Sequence, residues 1–113
     1  MNVLITDDHS IVRKGLVNLI LEEYPKASVS EAQNASEAIS FLRGSSSWDL
    51  ILLDISMPGK NGIELLKQIR TEGITTPVLM LSMHPEDVYA IRVLRAGANG
   101  FLNKDSAPEE LVI

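Results

Sequence analysis

The sequence contains no cysteine and only two histidines. Without thiols there is no disulfide framework, no cysteine nucleophile and none of the common structural zinc sites, and two isolated His cannot complete a zinc shell. A hard, oxygen-liganded ion is the metal chemistry left open. Positive charge is also scarce, ten basic against fifteen acidic residues for a net charge of -5. The chain therefore lacks the basic footprint of a nucleic-acid binder. No apolar run approaches the roughly eighteen residues of a membrane span. Met1-Asn2-Val3 leads straight into a strand-like run with no basic leader, so the protein reads as cytoplasmic, with neither membrane nor nucleic acid as a direct partner. With 113 residues, 45% of them hydrophobic and 22% charged, residues 1–113 read as one globular domain.

What is present is an alternation of apolar runs and helical patterns. Strand-like segments are Val3 to Thr6, Val29 to Ala32, Leu50 to Leu53, Val78 to Leu81 and Gly100 to Leu102. Between them, apolar residues recur at helical spacing: Ile11, Val12, Leu16, Leu19 and Ile20; then Ala35, Ala38, Ile39 and Leu42; then Ile63, Leu65, Leu66 and Ile69; then Val88, Ile91, Val93 and Leu94. A fifth helix is expected from Ser106, cut short at Ile113. Asn34 with Glu37 and Ser106 with Glu109 fit capping boxes, Pro85 suits a first helical turn and Gly97 a helix C-terminus. The runs at 3–6, 50–53 and 78–81 are continuously apolar, as strands covered on both faces must be, and helical crossovers make them parallel. The expected fold is a doubly wound α/β sandwich. Asn61-Gly62 has hairpin chemistry, but a helical pattern follows it, which argues against a hairpin. Trp48 and Met80 read as packing residues.

In open parallel sheets, ligands bind beyond the carboxyl ends of the strands. Polar groups gather there: Asp7-Asp8 after the first strand, Asp54 after the third, Ser82 after the fourth and Lys104 after the fifth. Three carboxylates brought together would repel strongly, and one lysine leaves them uncompensated. A divalent cation closes the balance. Mg²⁺ suits a site of few carboxylates with positions left for water and phosphate oxygens. The set points to phosphoryl chemistry, with Asp54 as nucleophile, Asp8 as metal anchor supported by Asp7, and Lys104 as counter-charge.

Asp7-Asp8, the segment from Leu50 through Asp54 and Pro58 to Gly62, Ser82, and Ala96-Gly-Ala-Asn-Gly-Phe-Leu-Asn-Lys104 together resemble the receiver domain of two-component response regulators. Asp7 to Leu16 resembles the LuxR-type (NarL/FixJ) subfamily. The resemblance implies a flavodoxin-like five-stranded sheet in the order 2-1-3-4-5. It also implies a histidine kinase as phosphodonor to Asp54, and Mg²⁺ held by Asp8, Asp54 and the backbone carbonyl of Ser56 with Asp7 in support. Ser82 and Phe101 would be the switch pair: phosphorylation draws Ser82 inward, Phe101 rotates, and the surface around the fourth helix and fifth strand changes. Ser56 and His84, two positions beyond Asp54 and Ser82, would modulate an attacking water. Subfamily members usually carry a C-terminal helix-turn-helix, which this chain does not include, and a homodimer is a further expected association. Phe101 offers no phenolic hydroxyl. Asp105 follows Lys104 where many receivers have proline, so a cis bond there would cost about 3 kcal/mol.

Plainer readings exist for each residue. An Asp at a strand end commonly caps the next helix, Lys104 alone would be a solvated lysine, Ser82 a turn residue, and His9 and His84 surface or loop residues without metal-ligand spacing. Two other functions compete. A phosphohydrolase of the haloacid dehalogenase type needs Asp-x-Asp after the first strand, whereas here the pair is adjacent and the nucleophile lies on the third. A phosphorylation-independent dimerisation domain would be expected to have lost one of the acids, and all three are present.

Overall fold

A computed structural model describes residues 1–44, 47–55, 57, 59, 61–82 and 92–103. The elements are β1 (Asn2–Thr6), α1 (Ser10–Glu23), β2 (Ser28–Ala32), α2 (Ala35–Gly44), β3 (Leu50–Asp54), α3 (Gly62–Thr71), β4 (Val78–Ser82) and β5 (Gly100–Asn103), with a further helical segment over 92–95. The strands form one parallel sheet in the order β2-β1-β3-β4-β5. The doubly wound α/β architecture expected from the sequence is thus the one observed. The helices expected around Val88 and Ile91 and from Ser106 onward, with Pro85 and the Ser106–Glu109 box, fall wholly or partly outside the described residues.

Period-two alternation divides each central strand between two cores. Leu4, Ile51, Leu53, Val78 and Met80 face α2 and α3, whose Ala38, Leu42, Leu65, Leu66 and Ile69 complete that cluster together with Val93. On the opposite face Val3, Ile5, Leu52 and Leu81 meet Leu16 and Ile20 of α1. Each fully buried Leu or Ile contributes about 2 kcal/mol, which is why the central strands can be apolar on both sides. Trp48, just before β3, packs on the α2–α3 cluster with its ring edge-on to Phe41, centroids 6.3 Å apart.

Among the described residues, two positions depart from the helical patterns. Ile11 is 87% exposed and Leu94 53%. The buried stripe of α1 is Arg13, Leu16 and Ile20, and Ile11 lies two residues, roughly 200°, around the helix from Arg13. Leu94 follows the buried Val93 by about 100° and so turns outward. The helix ends follow their chemistry. The Asn34 side chain accepts from the Glu37 amide at 2.9 Å, while Glu37 reaches back to the Gln33 amide. Asn61 caps α3, accepting from the Glu64 amide at 2.9 Å, so Asn61-Gly62 opens a helix and not a hairpin. Gly97, with φ of 108°, closes the 92–95 segment, where its amide and that of Ala98 return to Leu94 and Val93.

Candidate functional site

β1 and β3 are paired from Val3↔Leu50 to Thr6↔Leu53, so their carboxyl ends emerge side by side. Asp7 follows β1 directly and Asp54 is the last residue of β3, one position further than its apolar run extends. Both are buried, Asp7 completely and Asp54 at 1% exposure, whereas Asp8 turns outward. One oxygen from each of the three carboxylates, with a ring nitrogen of His9, lies within 4.8 Å of all the others. His9 Nδ1 is 3.1 Å from Asp7 Oδ1, 3.2 Å from Asp8 Oδ1 and 3.8 Å from Asp54 Oδ2. The His9 amide also donates to Asp7 Oδ1 at 2.8 Å, an Asx turn that orients this carboxylate before α1 begins.

His9 is the surface loop residue that its sequence context suggests, with its side chain 55% exposed, and its ring also lies beside all three acids. Chain order could have hinted at Asp7 and Asp8, but the approach to Asp54 is created by strand pairing. Arg13 was likewise not legible as a site residue: its guanidinium donates to the backbone carbonyl of Asp7 at 2.6 Å and to Glu31 Oε1 at 2.8 Å.

Ser82 is the last residue of β4 and 1% exposed. Because Asp54 pairs with Leu81, Ser82 stands one position past Asp54 on the neighbouring strand. Phe101 on β5 pairs with Met80 and packs, half-buried, against the α2–α3 core. Lys104, Ser56, His84 and the Lys104–Asp105 bond lie outside the described residues. Gly62 holds the back of the site. Its amide donates to the Ile55 carbonyl at 2.8 Å, and a Cβ there would collide with the backbone carbonyl of Asp54. In front, an open cavity of about 650 Å³ runs from Asp8 past Gly59 to Asn34, Ser36 and Ile39 at the start of α2.

Two like charges about 4 Å apart cost ~4 kcal/mol at an effective dielectric near 20. Three carboxylates in this space thus call for a cation. Convergent, largely buried carboxylate oxygens fit a hard divalent ion, which takes oxygen ligands and keeps water in its remaining positions. Of the three acids, Asp54 is the one held within a strand, at the end of β3.

The family model for the response regulator receiver domain matches residues 3–113. The chain is 35% identical over 112 residues to the response regulator UvrY of Escherichia coli K12, which covers 99% of this chain and 51% of that protein. It is 39% identical over 112 residues to the nitrate/nitrite response regulator protein NarL of the same organism, covering 97% of this chain and 50% of the relative. A crystal structure of a LuxR-family two-component response regulator from Aurantimonas sp. SI85-9A1 superposes with a TM-score of 0.86 at 37% identity, covering 98% of this chain and 79% of that one. The chain spans about half the length of the curated relatives it matches.

Proposed function

Since this chain belongs to the response regulator receiver domain family, we propose that it works as the phosphorylation-controlled switch of a two-component system, with Asp54 as the phosphoacceptor. The supporting observation is the buried Asp54 carboxylate at the end of β3, clustered with Asp7 and Asp8. A carboxylate oxygen of Asp54 attacks the phosphorus of a phosphohistidine on a partner kinase. The new bond is O–P, the bond broken is N–P, and the imidazole departs with a proton. An acyl phosphate results, so a singly charged carboxylate becomes a neutral acyl group carrying a phosphoryl dianion.

In this reading Asp8, Asp54 and the carbonyl of Ser56 hold Mg²⁺, with Asp7 orienting the shell. When bound, the ion neutralises charge on the phosphoryl oxygens. Lys104 pairs with one of those oxygens, Ser82 donates its hydroxyl to another, and Phe101 follows Ser82 inward, changing the surface around β5. Ser56 and His84 side chains flank the water that later removes the phosphoryl group. The signal passes to a DNA-binding output domain of helix-turn-helix type in the whole protein, of which this chain is the receiver part, and a homodimer is one route for that output. The adjacency of Asp7 and Asp8, with the nucleophile on β3, speaks against a dehalogenase-type phosphohydrolase. The intact acid triad speaks against a phosphorylation-independent dimerisation domain.

Acetyl phosphate with Mg²⁺ should label Asp54, detected by mass spectrometry after borohydride trapping, and Asp54→Asn should abolish the label. A label on another residue, or one formed equally well in EDTA, contradicts the assignment.

A further inference from the structure

We propose that Arg13 is a positioning residue of the acid pocket, fixing through one buried hydrogen bond the peptide that joins Asp7 to Asp8 and thereby setting the affinity for a divalent cation. Arg13 occupies a place in the buried stripe of α1 where packing alone would favour an aliphatic side chain, and it is 8% exposed. Burying a guanidinium is unfavourable unless its donors are used. Here Nη1 donates to the Asp7 carbonyl at 2.6 Å and Nε to Glu31 Oε1 at 2.8 Å.

The position of that carbonyl gives the contact its meaning. The strand registers of β1 end at Thr6, opposite Ala32 on one side and Leu53 on the other. The Asp7 amide still reaches the Ala32 carbonyl at 3.0 Å, but beyond it the chain turns toward α1. Arg13 therefore grips the first peptide past the sheet, the one whose orientation aims Asp8. Glu31, adjacent to Ala32 on β2, anchors the other end of the guanidinium. The same arginine thus braces β2 and α1 against the turn that carries both acids.

Charge and position predict opposite signs. A cation near three carboxylates weakens cation binding by simple repulsion, so if Arg13 acted only through its charge, removing it would tighten Mg²⁺ binding. If it acts by holding the Asp7–Asp8 peptide, removing it weakens binding, by about tenfold on the scale typical of residues that orient metal ligands. This inference rests on the metal reading given above. Backbone amide shifts of Asp8 and Asp54, followed by NMR as Mg²⁺ is added to the whole chain, distinguish the two. Arg13→Gln should weaken Mg²⁺ binding about tenfold. Glu31→Gln, which keeps the Nη1 bond, should stay within about twofold of wild type. Should Arg13→Gln not fold, Arg13→Met carries the comparison, since it keeps the packing of the stem and offers no donor to the Asp7 carbonyl, and it should also bind about tenfold more weakly. Wild-type or tighter affinity in the folded Arg13 variant overturns the proposal, as does equal weakening by Glu31→Gln. A wild-type chain whose amides ignore Mg²⁺ overturns the metal reading, and this inference with it.

Discussion

Arg70 is the second arginine whose side chain works on the backbone. From the last turn of α3 it donates to the carbonyls of Gly97, Ile74 and Thr76 at 3.0, 2.9 and 2.8 Å, and to Asn99 Oδ1 at 2.9 Å. Burial lowers its pKa from the ordinary arginine value, yet four acceptors hold it in the charged form at neutral pH. Gly97 must be glycine beside it, because φ is 108° and a Cβ would press on Arg70 Cγ. Arg70→Met should remove roughly 2–4 kcal/mol, measured by urea unfolding, because several carbonyls lose a charged donor at once. A loss below about 0.5 kcal/mol, the ordinary size of a surface substitution, would contradict this. Asp7, Asp8, Asp54 and Ser82 were legible from the sequence because strand ends announce themselves. Arg13 and Arg70 were not, since charge patterning assigns arginine to solvent and their acceptors are supplied by other segments. The surface position of His9 was legible, but its approach to Asp54 was not, because it depends on the β1–β3 pairing.

Strand boundaries carry the chemistry at the scale of elements. The apolar pattern ends at Leu53 and Leu81, but the ladders continue to Asp54 and Ser82 because backbone pairing is indifferent to side-chain polarity. This one-residue extension places both side chains on rigid strands instead of loops. On the other side of the loop, α3 starts at Gly62 with Asn61 as its cap. Both the cap and the glycine determine where Asp54 sits, since the Gly62 Cα packs against the Asp54 backbone. Gly62→Ala should push the helix start and the end of β3 apart. The expected outcome is a folded protein with phosphorylation by acetyl phosphate slowed about a hundredfold, the cost of misplacing a reacting group by roughly 1 Å. Circular dichroism together with the trapped-label rate checks it. The outward turns of Ile11 and Leu94 were beyond a period count because one hydrophobic residue on either side of a stripe fits the same spacing, and the arginine that took the inner place broke the pattern.

For the molecule as a whole, the acid pocket concentrates negative charge that a bound cation would relieve. Asp8→Asn removes one of three neighbouring negative charges and should raise the stability of the metal-free domain by about 1 kcal/mol, once solvent has screened part of the repulsion. If the pocket holds Mg²⁺ as proposed, the same variant should lose the metal-dependent stabilisation expected of wild type, about 1.4 kcal/mol at ten times the dissociation constant. Calorimetric melts with and without Mg²⁺ test both halves, and an Asp8→Asn chain that is less stable than wild type without metal counts against the repulsion argument. Among the described residues no helix is long and apolar enough to cross a membrane. Trp48 supplies an optical handle on these experiments. It is the single tryptophan of the chain and sits at the amino end of β3, six residues before Asp54. At about 3.3 Å per residue that is some 20 Å from the acids. Its indole, wedged on the core beside Phe41, is placed to report loss of packing and is too remote to sense a cation or a phosphoryl group directly. Emission from this domain is consequently a thermometer of folding, and occupancy of the pocket must be read by another probe.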